Sequence, residues 1–162
     1  MKLYFLRHGI AEDVSLTGLD RDRELTDEGI ADMERVAAGM KRLKPDIELV
    51  LTSPYARALK TAEIAARVLD AGDLLHVDPR LVPGFGLGHL QEIVEEHDEV
   101  RRLLLVGHNF DFPMVAGRLC GGASIDLKKG GLIRVDTDAI EPGAGVLEWL
   151  LTPKHLAAIG ES

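Results

Sequence analysis

Short apolar runs along the chain predict buried strands. Leu3–Leu6 and Leu103–Val106 are uninterrupted apolar runs, and Ile47–Leu51 is apolar apart from Glu48. Runs of this kind are typical of strands that are buried on both faces, as in a parallel sheet. Three further strand candidates are Leu74–Val77, Leu132–Val135 and Val146–Leu151.

The spacing of apolar residues predicts helices in most of the segments between these strands. Thr26 is a candidate N-cap for a first helix, which has acidic residues in its first turn and ends at Pro45. Ser53-Pro54 predicts the start of a second helix, with serine as the cap and proline at the first helical position, running to about Gly72. Further helices are predicted over about 89–99 and 111–119, a short helix or frayed tail over the last ten residues, and loops over 11–24 and 79–88.

The alternation of strands and helices predicts one α/β domain that spans residues 1–162. We expect a three-layer sandwich, with a mostly parallel central sheet and helices on both faces. Ligands of such sheets bind beyond the carboxyl ends of the strands. His8 and His108 each follow a predicted strand, so we expect both histidines at the same edge of the sheet.

The composition of the chain limits the kinds of partner that it could bind and the cellular compartment that it suits. The chain has 19 basic and 27 acidic residues, a net charge of −8, which argues against binding to nucleic acid or to an anionic membrane. It has no apolar stretch long enough to span a bilayer. Its single cysteine, Cys120, excludes an internal disulfide and a cysteine-rich zinc site and suits a reducing compartment. We therefore expect a cytoplasmic protein, and one domain of moderate charge is compatible with a monomer.

Cationic and nucleophilic side chains follow three of the predicted strands. Arg7-His8-Gly9 follows the first strand, Arg57 lies near the start of the helix after the second, and His108 follows the fourth. A single histidine at a strand end is usually structural, but so many cations gathered at one edge are costly without an anion. Guanidinium groups and helix N-termini suit phosphoryl oxygens, so the pattern predicts an anion site. Asp20, Arg21 and Arg23 precede the first helix and are candidates for the rim of this site.

Three ordered sequence blocks carry a family resemblance. Leu-Arg-His-Gly, Ser-Pro-x-x-Arg-Ala-x-x-Thr-Ala and Val-Gly-His-Asn resemble, in this order, the histidine phosphatase superfamily, which has the phosphoglycerate-mutase-like fold. The short length and the segments 23–29, 127–131 and 149–153 resemble its SixA-type phosphohistidine phosphatase branch. The resemblance covers about residues 2–155.

This resemblance implies roles for individual residues. His8 would attack phosphorus and form a phosphohistidine intermediate, which water then hydrolyses, while the other three catalytic residues hold the phosphoryl oxygens. Neighbouring cations should keep the imidazole neutral and nucleophilic. No metal ion or organic cofactor is expected, because adjacent arginines would repel a metal cation. The expected catalytic residues are Arg7, His8, Arg57 and His108. The expected substrate-binding residues are Gly9, which lets the backbone turn tightly beside the phosphate, Arg23 and Asn109.

The segment Val82–Gly88 bears on the substrate. Mutases and sugar phosphatases of this family usually carry an acidic proton donor there, whereas this segment has no carboxylate and Glu92, Glu95 and Glu96 lie beyond it. An alkoxide leaving group needs a general acid, whereas solvent can protonate an imidazole that leaves from phosphohistidine. We therefore expect phosphohistidine on a protein as the substrate, and the glycine-rich segment predicts an open site. The alternatives are a small phosphomonoester hydrolysed by the same chemistry and a phosphate-binding module without turnover.

Three other sequence patterns are interpreted as having no catalytic or ligand-binding role. Gly84-x-Gly86-x-Gly88 lacks the preceding strand of a nucleotide-binding loop. Cys120 has no arginine six positions later, which removes a cysteine-nucleophile phosphatase. Lys128 and Lys129 are interpreted as solvated side chains rather than contacts to an anionic partner.

Overall fold

Six strands form one mixed sheet in the order β3-β2-β4-β1-β5-β6, in a computed structural model that describes residues 1–162. The strands are β1 (Lys2–Arg7), β2 (Leu49–Thr52), β3 (Leu75–Val77), β4 (Arg102–Gly107), β5 (Leu132–Thr137) and β6 (Gly145–Leu151). β3, β2, β4 and β1 pair in parallel, and β5 and β6 extend the sheet in antiparallel pairing. The predicted mostly parallel sheet is confirmed.

Five helices cover the two faces of this sheet. They are α1 (Asp27–Arg42), α2 (Ala56–Val68), α3 (Leu87–Glu96), α4 (Asp111–Leu119) and α5 (Pro153–Glu161), with short 3-10 helices at Asp20–Asp22, Gly72–Leu74 and Pro79–Leu81. Apolar residues of α1, α2 and α5 join one buried cluster, and those of α3 and α4 join the other. The predicted three-layer sandwich is thus confirmed. No helix has both the length and the apolar character needed to cross a lipid bilayer.

Strand β1 is buried on both faces because its apolar run serves both layers. Leu3 and Phe5 pack into the cluster with α3 and α4, whereas Tyr4 and Leu6 pack into the cluster with α1 and α2. Each such side chain stabilises the fold by about 1.5–3 kcal/mol relative to its exposed state. The end of β1 is therefore held firmly where His8 begins.

The boundaries of several helices follow their capping residues. Thr26 is the N-cap of α1, as predicted, and its Oγ1 accepts a hydrogen bond from the backbone N–H of Gly29 at 3.0 Å. α1 ends at Arg42, before Pro45. The C-terminal segment is helical, with Thr152 as the N-cap of α5.

The predicted start of the second helix at Ser53-Pro54 is wrong. α2 begins at Ala56, and its N-cap is Tyr55. The Ser53 hydroxyl accepts a hydrogen bond from the backbone N–H of Tyr55 at 3.2 Å and lies 2.8 Å from Nε2 of His108. Ser53 therefore shapes a turn after β2 and supports a histidine, and Arg57 still falls in the first turn of α2.

Candidate active site

The ends of β1 and β4 place two histidines side by side. The strands are parallel neighbours with Arg7 opposite Gly107, so His8 and His108 follow at the same edge of the sheet. Their ring centroids are 5.5 Å apart, and both side chains are buried. The topology thus joins two residues that are far apart along the chain.

Hydrogen bonds determine which ring nitrogen of His8 carries the proton. Its Nδ1 lies 2.7 Å from the carbonyl oxygen of Gly9, which only accepts, so Nδ1 carries the proton and donates. The lone pair of Nε2 faces the Nε–H of Arg57 at 3.2 Å. Burial, more than the neighbouring cations, lowers the pKa of His8 to about 3. At neutral pH the ring is therefore uncharged, with Nε2 free to attack an electrophile.

His108 presents a second nitrogen to the same space. Its Nε2 bonds Ser53, whereas its Nδ1 is buried without a partner. When the Ser53 hydroxyl donates to Nε2, the proton of His108 lies on Nδ1, which becomes a free donor. Burial, with a smaller contribution from Arg57, lowers the pKa of His108 to about 4.

Arg7 contributes the other unpartnered donor. One terminal nitrogen donates to the carbonyl oxygen of Leu127 at 2.8 Å, but its Nε is buried without a partner, and burial lowers the pKa of the guanidinium. Nε of Arg7 and Nδ1 of His108 are the two buried side-chain nitrogen or oxygen atoms in the chain that lack a hydrogen bond. A buried unpaired polar group costs about 1–3 kcal/mol. A hydrogen-bond acceptor such as an anion oxygen would satisfy each of these donors.

Arg57 is oriented by Asp20, a residue that the sequence placed only at the rim. The two terminal nitrogens of Arg57 donate to the Asp20 carbonyl at 2.8 Å and to its carboxylate at 3.1 Å, which leaves the Nε edge turned toward His8. The Asp20 carboxylate also accepts from Arg23 at 2.9 Å. Hydrogen bonds from Arg23 and Arg57 lower the pKa of Asp20, so it remains charged. Asp20 therefore acts as a positioning group for Arg57.

Thr61 is a second supporting residue that sequence reasoning missed. Its hydroxyl donates to the carbonyl of Arg57 at 2.8 Å and accepts from the backbone N–H of Gly9 at 3.1 Å. Thr61 and Ser53 both lie in the Ser-Pro-x-x-Arg-Ala-x-x-Thr block, which was the available signal. The contact of Thr61 with Gly9 and that of Ser53 with His108 do not follow from local spacing, because each joins this block to the end of another strand.

The remaining predicted residues fare differently. Gly9 is not among the glycines with positive φ, so its backbone conformation does not itself require glycine. A Cβ at this position would instead lie 2.7 Å from Cγ of Met33, so glycine is needed for the close approach of α1. Arg23 bonds Asp20 and the Glu12 carbonyl and reaches the site only through Asp20. Asn109 is partly buried in the turn between β4 and α4, directly after His108, and its contact with the substrate stays a prediction.

The three glutamates that the sequence analysis considered as proton donors have partners outside the site. Glu92 and Glu96 pair with Arg80, and Glu95 accepts from Gln91. The Val82–Gly88 segment is instead contacted by Asp111, three residues after His108, whose carboxylate accepts from the backbone N–H of Gly84 at 2.8 Å. No group of three or more His, Cys, Asp or Glu side chains is arranged to hold a metal ion.

Comparison with known proteins identifies the family of this chain. The model of the histidine phosphatase superfamily (branch 1) matches residues 3–102. An uncharacterized protein of Picosynechococcus sp. is 36% identical over 144 residues, covering 86% of this chain and 87% of that protein. Phosphohistidine phosphatase SixA of Escherichia coli is 29% identical over 162 residues, covering 96% of each chain. The structure of the protein histidine phosphatase SixA complexed with tungstate matches with a TM-score of 0.86 at 26% identity, over 96% of this chain and 99% of that one. The chain therefore belongs to the histidine phosphatase superfamily, as a phosphatase of the SixA type.

Proposed function

We propose that this protein removes the phosphoryl group from phosphohistidine on a protein, with His8 as the nucleophile. The observation that carries the proposal is the Nε2 lone pair of His8, which faces Nε–H of Arg57 at 3.2 Å, in a ring whose centroid lies 5.5 Å from that of His108. The SixA relative, which is a phosphohistidine phosphatase, supports the choice of substrate.

The first step transfers the phosphoryl group to the enzyme. Arg7, Arg57 and Nδ1 of His108 donate to the non-bridging oxygens, which spreads and stabilises their charge. Nε2 of His8 attacks phosphorus, a new P–N bond forms, and the P–N bond of the substrate breaks. The leaving imidazole takes a proton from solvent, while Nδ1–H of His8 stays bonded to Gly9 and supports the positive charge on the phosphorylated ring.

The second step regenerates the free enzyme. Water adds to phosphorus as the bond to Nε2 breaks, and both protons of the water leave with the inorganic phosphate. His8 returns to its neutral form with the proton still on Nδ1. Every charge in this scheme is handled by arginine, histidine and backbone groups, so the proposed reaction requires no metal ion.

The test compares substrates and the nucleophile variant. We expect faster turnover of a phosphohistidine peptide than of a sugar phosphate, with and without EDTA, and an acid-labile phosphoryl-enzyme after rapid quenching.

His8→Ala should lower the rate by at least about a thousandfold and leave the fold intact, as judged by circular dichroism. Unchanged activity in this variant would refute the nucleophile, loss of activity with EDTA would refute metal independence, and absence of any adduct would favour a phosphate-binding module.

A small phosphomonoester remains the second candidate substrate, because Asp111 brings a carboxylate to the Val82–Gly88 segment. An alkoxide leaving group would need such an acid, whose loss typically costs about 10²–10⁴-fold in rate. On our proposal, Asp111→Asn leaves phosphohistidine hydrolysis within about twofold of the wild-type rate. Faster wild-type turnover of a phosphomonoester, lost in Asp111→Asn, would replace our proposal with this alternative.

A further inference from the structure

The reacting groups lie below the surface. His8 is 6%, Arg57 5% and His108 2% exposed. A phosphoryl group that reaches Nε2 of His8 must extend inward. The rest of the substrate then lies against the residues that surround the entrance to the site, which form its rim. The chemistry of the rim therefore bears on the kind of substrate that fits.

One side of the rim is the loop between β1 and α1. It exposes Val14, Leu16 and Leu19, of which Leu16 is 106% exposed. Two sets of hydrogen bonds hold this loop in place. Oγ of Ser15 donates to the carbonyl of Leu19 at 2.7 Å, and Asp20 accepts two hydrogen bonds from Arg57. These apolar side chains are thus directed to solvent by an ordered loop directly attached to the site.

The other side of the rim is the start of α4. Phe110, which is 79% exposed, follows His108 by two residues, and Met114 lies one helical turn later on the same side of the helix. α4 packs on the opposite face of the sheet from α1 and α2. The two sides of the rim therefore belong to different layers, with the two histidines at the sheet edge between them.

Exposed apolar side chains are concentrated at this edge. Five of the nine large apolar residues that are exposed in the chain flank the site, namely Val14, Leu16, Leu19, Phe110 and Met114, which we call the apolar rim. Patches of this kind mark interaction surfaces, because water is a poor environment for them. A polypeptide continues in both directions from its phosphohistidine and can therefore contact both sides of the rim at once.

Charge beside the apolar rim further defines the occupant. A cavity of about 350 Å³ adjoins the site at Ala56, next to Arg57 in the chain, and contains Leu16. Its charged lining residues are Glu12, Asp22 and Glu24, without a lysine or arginine. Basic side chains of a partner complement these carboxylates and offset the net charge of −8.

We propose that the apolar rim is the docking surface for the polypeptide substrate, and that it selects phosphohistidine flanked by apolar and basic residues. The inference rests on the proposed function and adds the recognition surface to it. Burial of a leucine or phenylalanine side chain on binding is sufficient for about a tenfold gain in kcat/KM.

The experiment compares three chemically phosphorylated probes: free phosphohistidine, a 15-residue phosphohistidine peptide with serine flanks, and one with leucine and lysine flanks. The rim variant is Leu16→Ser with Phe110→Ser. The control is Val146→Ser with Leu150→Ser, which removes two apolar side chains that are 60% and 40% exposed from β6, away from the site. Thermal unfolding midpoints of both variants verify that they are folded.

We expect kcat/KM to rise about tenfold from the serine-flanked to the leucine- and lysine-flanked peptide. The rim variant should lose this gain, the control should keep it, and both should hydrolyse free phosphohistidine at the wild-type rate. Each of three results would overturn the docking surface. These are equal rates for the two peptides, a gain that survives in the rim variant, and a loss of activity of the rim variant on free phosphohistidine as large as its loss on the peptide with leucine and lysine flanks. A wild-type enzyme inactive on all three probes would instead refute the proposed function, and the inference with it.

Discussion

His8 shows how a single hydrogen bond determines which ring nitrogen keeps its lone pair. The backbone carbonyl of Gly9 fixes the proton on Nδ1, and burial keeps the ring neutral, so on the proposed function Nε2 is the nitrogen that would attack phosphorus. The arrangement needs no neighbouring carboxylate. A carboxylate would favour the protonated ring and so lower the fraction of neutral imidazole at neutral pH. Arg57 then contributes charge where the phosphoryl group would lie.

The orientation of Arg57 depends on Asp20, which gives a prediction at the residue scale. Asp20→Asn should lower kcat/KM about tenfold through the loss of charge-assisted hydrogen bonds to the guanidinium, and Asp20→Glu should recover part of it. We expect the loss in kcat more than in KM, measured with free phosphohistidine.

Asp22→Asn is the matched control for this prediction. Asp22 lies on the same 3-10 helix but accepts from Thr17 and does not contact Arg57. Equal losses in the two asparagine variants would assign Asp20 to loop stability rather than to the orientation of Arg57.

At the scale of elements, apolar runs predicted the strands because burial on both faces leaves a direct trace in the sequence. The start of α2 could not be predicted this way. Ser53 caps no helix because its hydroxyl serves His108, which is 55 residues away. The same limit applies to Asp20 and Arg57, 37 residues apart. Such pairings depend on which strands become neighbours, and local patterns do not record this.

The contact between α1 and α5 depends on a glycine, which gives a prediction at the element scale. A Cβ at Gly39 would lie 1.9 Å from the carbonyl oxygen of Leu156, a backbone atom that cannot rotate away. Gly39→Ala should lower the free energy of unfolding by about 1–3 kcal/mol or more, measured by urea denaturation.

Gly88→Ala provides the comparison, because a Cβ there has nothing within 4 Å and Gly88 lies in α3. We expect this substitution to be neutral or to stabilise the fold by up to about 1 kcal/mol, since alanine favours the helix. A destabilised Gly88→Ala, or a neutral Gly39→Ala, would contradict the packing described for these helices.

At the scale of the whole molecule, the two buried histidines link folding to pH. Their pKa values of about 3 and about 4 lie below the usual value of 6.5, so below that pH the unfolded chain binds protons that the folded chain does not. The free energy of unfolding should therefore fall as pH decreases from 6.5 to 4.5, by about 1.4 kcal/mol per pH unit for each histidine.

Urea denaturation across this pH range measures the effect, and His8→Gln should reduce the slope. Asp20, whose pKa is lowered, loses its contribution only as pH falls below the usual carboxyl range, so it does not account for the decrease. A free energy of unfolding that stays constant between pH 6.5 and 4.5 would contradict the burial of two neutral imidazoles.

The two unpaired donors, Nε of Arg7 and Nδ1 of His108, also have a consequence for the end of the cycle. On the proposed function, orthophosphate offers them the same oxygens as the substrate, so the reaction would release its own competitor. We expect progress curves to slow before the substrate is exhausted, with competitive inhibition by added orthophosphate in initial-rate assays and much weaker inhibition by chloride at equal ionic strength. The enzyme would then work fastest wherever free orthophosphate is scarce.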